Sequence, residues 1–93
     1  MKLYSELVNE SKNMWEVIDG KLHREFEFNN FNDAISFINK VATLSEEENH
    51  HPEIHNLYNK VEIILCTHDK GNVITDKDKQ LANKIDKYFK LGN

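Results

Sequence analysis

The sequence predicts a small α+β domain, and three patterns along the chain support that class. Apolar residues recur at helical spacing over residues 31–48 and again near the end of the chain. Apolar and polar residues alternate in extended runs, and Asp19-Gly20 separates two of these runs as a tight hairpin turn would. The predicted order is helix, two strands, helix, one or two strands, helix. Antiparallel strands with helices covering one face are typical of α+β domains.

Size and composition indicate a single domain spanning residues 1–93. The chain is 39% hydrophobic and 30% charged, as expected for a folded globular protein. Its net charge is -4 and no basic block is present, so nucleic acid is not an expected direct partner. No apolar run approaches the ~20 residues of a membrane span. The first residues lack the pattern of a secretory signal and there is one cysteine, which together predict a cytoplasmic protein.

The first predicted helix covers residues 3–13, where Leu3, Leu7 and Val8 stand at helical spacing. The hairpin around Asp19-Gly20 follows it. One face of the second hairpin strand is apolar except for one residue, and it consists of Leu22, Arg24, Phe26 and Phe28. We expect the exception, Arg24, to pair with an acid near a pocket or at a subunit interface.

The most regular predicted helix runs from about Phe31 to Glu48, with Asn30 as its N-cap. We expect it to end before Pro52, because the residue before a proline avoids helical backbone angles. The predicted buried stripe consists of Phe31, Ala34, Ile35, Ile38, Val41 and Ala42, widened by Phe37 and Leu44.

An extended run follows, from about Glu53 or Asn56 to His68, and a turn near Asn59-Lys60 would divide it into two strands. Its predicted core face comprises Leu57, Val61, Ile63, Leu65 and Thr67. Thr75-x-x-Asp78 then predicts the capping box of a last helix. The buried face of that helix carries Leu81, Ala82, Ile85 and Phe89.

Four of the five histidines lie between residues 46 and 78: His50, His51, His55 and His68. Imidazole changes its charge near neutral pH, so this segment suggests proton transfer, a metal site or a solvated surface. Adjacent histidines rarely converge on one ion, and the chain has no CxxC or HExxH pattern, so we expect no metal site. We expect His55 to be a surface residue.

A series of residue types at fixed spacing runs through the chain from Trp15 onward. It consists of Trp15, Leu22-x-Arg24-x-Phe26-x-Phe28, Phe31-x-x-Ala34-x-x-Phe37, Glu46, His50-His51-Pro52, Tyr58, Val61, Thr67-His68 and Asp78. In this series the sequence resembles the pterin-4a-carbinolamine dehydratase family.

The resemblance implies a dehydratase that converts 4a-hydroxytetrahydropterin to quinonoid dihydropterin in tetrahydropterin recycling, without a metal or other cofactor. It implies a four-stranded antiparallel sheet with three helices packed on one face, in a homodimer or homotetramer. The family's catalytic histidines fall on His50, His51 and His68. We expect His50 and His68 to transfer protons and His51 to position the substrate. The expected substrate-binding residues are Pro52, Tyr58, Thr67 and Asp78.

Two of these positions also have a purely structural interpretation. Asp78 is the expected capping partner of Thr75, and Tyr58 fits a core aromatic as well as a pterin contact. The alternative function is a non-catalytic module of the same fold that binds or dimerises another protein as a transcriptional cofactor. Its sheet edge or outer sheet face would then bind the other chain. The presence of His50, His51 and His68 together favours the enzyme.

Overall fold

The computed structural model describes residues 14–92, so the helix predicted over residues 3–13 lies outside the described part of the chain. Two hairpins and two α-helices alternate along it, and a short 3-10 turn at His68–Lys70 precedes the last helix. The elements are β1 (Glu16–Ile18), β2 (Lys21–Glu27), α1 (Phe31–Glu47), β3 (Glu53–Leu57), β4 (Lys60–Leu65) and α2 (Asp76–Gly92).

The α+β class and the four-stranded antiparallel sheet are confirmed, but the prediction of three helices is wrong. The strand order is β1-β2-β4-β3, and residues 14–92 form two α-helices. Each of these helices turns an apolar stripe toward one face of the sheet. Neither α-helix within residues 14–92 is long and apolar enough to span a membrane.

Both hairpin turns use residues with positive φ. Asp19 and Gly20 have φ of 52° and 75°, which matches the twist of a two-residue hairpin and confirms the predicted turn. The second hairpin turns at Tyr58, whose φ is 52°, and pairs Leu57 with Lys60. This pairing moves Leu57 to the open face of the sheet, where it is 78% exposed. The prediction that Leu57 belongs to the core face is therefore wrong.

The core lies between one sheet face and the two helices, and an aromatic cluster decides how α1 is rotated. The Phe37 ring lies 4.7 Å from that of Phe26 and 5.0 Å from that of Phe28, between ring centroids. Burying the large Phe37 side chain gains more free energy than burying Ala42, so α1 turns Phe37 toward the core. Ala42 and Phe31, which belong to the predicted stripe, are therefore exposed. The buried apolar residues of α1 are Ala34, Phe37, Val41 and Leu44.

Arg24 is the polar exception on the core face of β2, and its partner is Asp86 on α2. The Arg24 Nη1 donates to Asp86 Oδ1 at 2.7 Å, and the Trp15 Nε1 donates to the same oxygen at 2.8 Å. The guanidinium carbon also lies 4.4 Å from the centroid of the Phe26 ring, which adds a cation–π contact. The expected acidic partner of Arg24 therefore comes from the last helix of the same chain.

Replacing Asp86 with alanine removes the acceptor of two partly buried donors, Arg24 and Trp15. We expect Asp86→Ala to lower the free energy of unfolding by about 1–3 kcal/mol, since donors without partners are costly. Urea unfolding followed by tryptophan fluorescence measures this change. Asn83→Ala is the control, because Asn83 is exposed on the same helix. Equal urea midpoints for Asp86→Ala and Asn83→Ala would contradict the assigned role.

Candidate active site

The C-terminus of α1 places the backbone of His50. Asn49 has a φ of 50°, and its N–H donates to the Glu46 carbonyl at 3.2 Å. The His50 N–H donates to the Ser45 carbonyl at 3.0 Å. These two hydrogen bonds form a Schellman motif with Glu48 as the C-cap. The helix end therefore holds His50 directly beside the last turn of α1.

α1 ends at Glu47, within one residue of the predicted Glu48, and the left-handed Asn49 stops it before Pro52 is reached. Asparagine tolerates the left-handed backbone conformation, and this was the available signal. Pro52 follows the helix end and leads into β3. His50 is 8% exposed, whereas the side chain of His51 is 61% exposed. The two neighbouring histidines therefore face different environments, as expected for extended backbone.

The opposite wall of the site is formed by the end of β4 and the start of α2. The Thr67 N–H donates to the Val73 carbonyl at 2.8 Å, and the Asn72 N–H donates to the Thr67 carbonyl at 3.0 Å. Gly71, with a φ of 84°, allows the tight return of the chain between them. This closed loop brings Thr75 and the first turn of α2 beside Thr67.

The carboxylate of Asp78 lies at the centre of the site and is fully buried, with 0% exposure. Its Oδ1 lies 2.5 Å from the Nε2 of His50. Its Oδ2 accepts from the Thr67 hydroxyl at 2.9 Å and from the Thr75 backbone N–H at 2.8 Å. A buried carboxylate needs such donors to offset its lost hydration. Because Asp78 accepts, we assign the ring proton of His50 to Nε2.

Asp78 therefore has both of the roles that the sequence left open. Its contact with the Thr75 N–H is half of the predicted capping box. The other half is absent, because the Thr75 hydroxyl contacts the Thr67 hydroxyl at 2.6 Å. The contact with His50 could not be read from local spacing, because the two residues are 28 positions apart.

The other two predicted catalytic histidines are exposed and have their own partners. The His51 Nε2 contacts the carboxylate of Glu46, and both side chains are exposed. His68 directly follows Thr67, in the 3-10 turn, and its Nδ1 lies 2.9 Å from the Asn72 Oδ1. His55 is exposed beside Glu53, and its hydrogen bond lowers the pKa of the Glu53 carboxyl. His55 is thus a surface residue, as expected.

The structure brings together some of the predicted substrate-binding residues but not all. Thr67 and Asp78 contact each other, and Pro52 is half-buried just beyond the two histidines. Tyr58 lies at the opposite end of β3 from Pro52, in the hairpin turn, and is 61% exposed. The length of β3 therefore separates Tyr58 from the end of the sheet where the His50–Asp78 pair lies.

A cavity of about 250 Å³ borders the site at the junction of the β4 end and the α2 start. Its walls carry both signs of charge and two hydroxyls, so it is suited to polar groups. The lining residues are Thr67, Asp69, Lys70, Thr75, Asp76 and Lys77. Within residues 14–92, no three side chains of His, Cys, Asp or Glu are arranged to hold a metal ion.

The fold and the site together define an α+β protein with a histidine–carboxylate pair where a helix end meets a strand end. Residues 2–88 match the family model described as pterin 4 alpha carbinolamine dehydratase, and the chain belongs to this family. This confirms the resemblance seen in the sequence.

Relatives support the same assignment. A Prochlorococcus marinus (strain NATL2A) protein named "Putative pterin-4-alpha-carbinolamine dehydratase" is 52% identical over 77 residues, covering 82% of this chain and 80% of its own. A Solibacter usitatus protein of the same name is 49% identical over 75 residues, covering 81% of this chain and 78% of its own.

Solved structures show the same fold. The Brucella melitensis transcriptional coactivator/pterin dehydratase is 32% identical with a TM-score of 0.72, over 90% of this chain and 93% of its own. A pterin dehydratase-like protein identified as a RuBisCO assembly factor in the alpha-carboxysome is 24% identical with a TM-score of 0.62. That match covers 78% of this chain and 83% of its own, and it concerns the fold alone.

Replacing Asp78 with asparagine tests the buried carboxylate. The amide puts N–H donors at a position where donors already point, so His50 or the two threonines lose their acceptor. We expect Asp78→Asn to lower the free energy of unfolding by about 3 kcal/mol. Asp76→Asn is the control, because Asp76 is exposed in the same turn, and we expect it to cost less than about 1 kcal/mol. Urea unfolding compares both, and a wild-type midpoint for Asp78→Asn would contradict this description of the site.

Proposed function

We propose that this protein dehydrates 4a-hydroxytetrahydropterin to quinonoid dihydropterin. Family membership supports the substrate class. The observation that carries the proposal is the contact between the nearly buried His50 ring and the fully buried Asp78 carboxylate. A capping role needs only the backbone contact between Asp78 and Thr75, whereas the contact with His50 prepares an imidazole for proton transfer.

The reaction requires two proton movements. Hydroxide leaves C4a, and a general acid protonates it so that it departs as water. The proton on N5 goes to a general base, and the N5 electron pair forms the new double bond to C4a. Each such contribution is worth about 10²–10⁴-fold in rate.

His50 is suited to the role of base. With its proton on Nε2 and directed to Asp78, the ring keeps a lone pair on Nδ1 to accept the N5 proton. The ring then becomes an imidazolium, and the adjacent carboxylate stabilises that charge, as it does in hydrolase triads. We assign protonation of the leaving hydroxide to His68, with its Nδ1 held by Asn72, and orientation of the pterin to His51.

A second candidate function is a protein-binding module of the same fold. The sheet face opposite the helices has no covering element within residues 14–92, and it exposes Ile18 and Leu57. One solved relative is a transcriptional coactivator/pterin dehydratase, and the other is a pterin dehydratase-like protein identified as a RuBisCO assembly factor. Leu57 and Tyr58 are both large and exposed beside the edge strand β3, which supports a homodimer or homotetramer.

We also propose that the protein acts in the cytoplasm, as its single cysteine suggests.

Stopped-flow absorbance of 4a-hydroxytetrahydropterin decay tests the dehydratase. The substrate also dehydrates without a catalyst, so the quantity measured is the acceleration over that background. We expect wild-type acceleration to fall about 100-fold or more in His50→Ala and also to fall in His68→Ala. His55→Ala is the control, because His55 is an exposed histidine outside the site, and it should retain wild-type rates.

Two results would count against this proposal. A folded wild-type protein that does not accelerate the decay would reject the enzyme and favour the protein-binding module. Full acceleration by folded His50→Ala would support dehydratase activity but would show that His50 takes no part in the chemistry.

A further inference from the structure

We propose that Thr67 and Thr75 are positioning residues that hold His50 in its reactive orientation and tautomer through Asp78. This inference rests on the proposed dehydratase. The sequence suggested that Thr67 contacts the substrate. In the structure its side chain is turned inward: Thr67 is 3% exposed, and its hydroxyl contacts Asp78 and Thr75.

The direction of the hydrogen bonds follows from the chemistry of the groups. A carboxylate only accepts hydrogen bonds, so the single hydroxyl proton of Thr67 is directed to the Asp78 Oδ2, at 2.9 Å. In the 2.6 Å contact between the two hydroxyls, Thr67 must therefore accept and Thr75 must donate. The chain of donors runs from Thr75 to Thr67 to Asp78, where it meets the Nε2–H of His50 from the other side.

This arrangement fixes which oxygen of Asp78 serves His50. The Oδ2 is occupied by two donors, the Thr67 hydroxyl and the Thr75 N–H, so the Oδ1 is left for the histidine ring. Two donors on one oxygen also resist rotation of the carboxylate about its terminal bond. The tautomer of an imidazole is set by the hydrogen bond that one of its nitrogens makes. Loss of the Thr67 hydroxyl would therefore loosen the contact that keeps the proton on Nε2.

The two threonine hydroxyls differ in how much their removal should disturb Asp78. Asp78 is fully buried, so removing the Thr67 hydroxyl leaves the Asp78 Oδ2 in the protein interior without one of its two donors. Thr75 is half-buried and lines the 250 Å³ cavity together with Thr67. Loss of the Thr75 hydroxyl removes a donor to Thr67 but leaves the hydrogen bond from Thr67 to Asp78 in place. We therefore expect a larger effect at Thr67 than at Thr75.

The test compares valine, which keeps the shape of threonine without its hydroxyl, with serine, which keeps the hydroxyl. The four variants are Thr67→Val, Thr67→Ser, Thr75→Val and Thr75→Ser. Thr43→Val is the control, because the Thr43 hydroxyl bonds only the Asn39 carbonyl on the exposed side of α1. Dehydration kinetics give kcat and KM, and the ¹⁵N spectrum of the histidine rings gives the His50 tautomer without reference to activity.

We expect Thr67→Val to lower kcat about 10-fold with little change in KM, and to move part of the His50 population away from the Nε2–H tautomer. Thr67→Ser should restore both properties. Thr75→Val should show a smaller shift in the same direction, and Thr43→Val none. A KM effect in Thr67→Val with the wild-type tautomer would instead make Thr67 a substrate contact and overturn the proposal.

The spectral measurement separates this proposal from the proposed function. If the wild type is not a dehydratase, the tautomer shift in Thr67→Val still tests the positioning role. A wild-type His50 tautomer in folded Thr67→Val would overturn that role whatever the activity. If Thr67→Val does not fold, the His50 tautomer in Thr75→Val decides the question, because this variant interrupts the same chain at its outer end. Thr75→Ser, which keeps the hydroxyl, is its control, and a wild-type tautomer in folded Thr75→Val would then overturn the proposal.

Discussion

A carboxylate that loses all of its hydration must find donors inside the protein, and this requirement shapes the site around Asp78. Its donors come from three separate parts of the chain. His50 follows α1, Thr67 follows β4, and the backbone of Thr75 precedes α2. Satisfying one buried charge therefore brings together the ends of three elements. The same contacts direct the proton of His50 toward the interior and leave its other ring nitrogen unprotonated, as the proposed reaction requires.

The position of α2 is fixed by two acidic side chains that face the sheet. Near the N-terminus of α2, Asp78 accepts from Thr67 just after β4, and two turns later Asp86 accepts from Arg24 on β2. Between them lie apolar residues of the core, including Leu81 and Ile85. Apolar burial supplies most of the driving force, while the two polar contacts fix the register of the helix against the sheet. The geometry of the site thus depends on packing along the whole length of α2.

The sequence was most informative where the structure is set by local patterns. The Asp19-Gly20 turn and the limits of α1 follow from turn chemistry and periodicity, and the spacing of unusual residues identified the family. Leu57 was misplaced because alternation continues through a hairpin turn and the parity then changes. The rotation of α1 and the pairings of Asp78 with His50 and of Asp86 with Arg24 depend on tertiary packing, so no local pattern reveals them.

The central claim is that Asp78 holds the proton of His50 on Nε2 and leaves Nδ1 to meet the pterin. The most direct measurement is the ¹⁵N spectrum of the histidine rings of the wild-type protein, alone and with saturating 7,8-dihydropterin as a stable, product-like ligand. We predict that His50 is the Nε2–H tautomer in the free protein and that the ligand shifts its Nδ1 resonance. An Nδ1–H tautomer in the free protein, or a His50 ring that does not respond to bound pterin, would contradict this account.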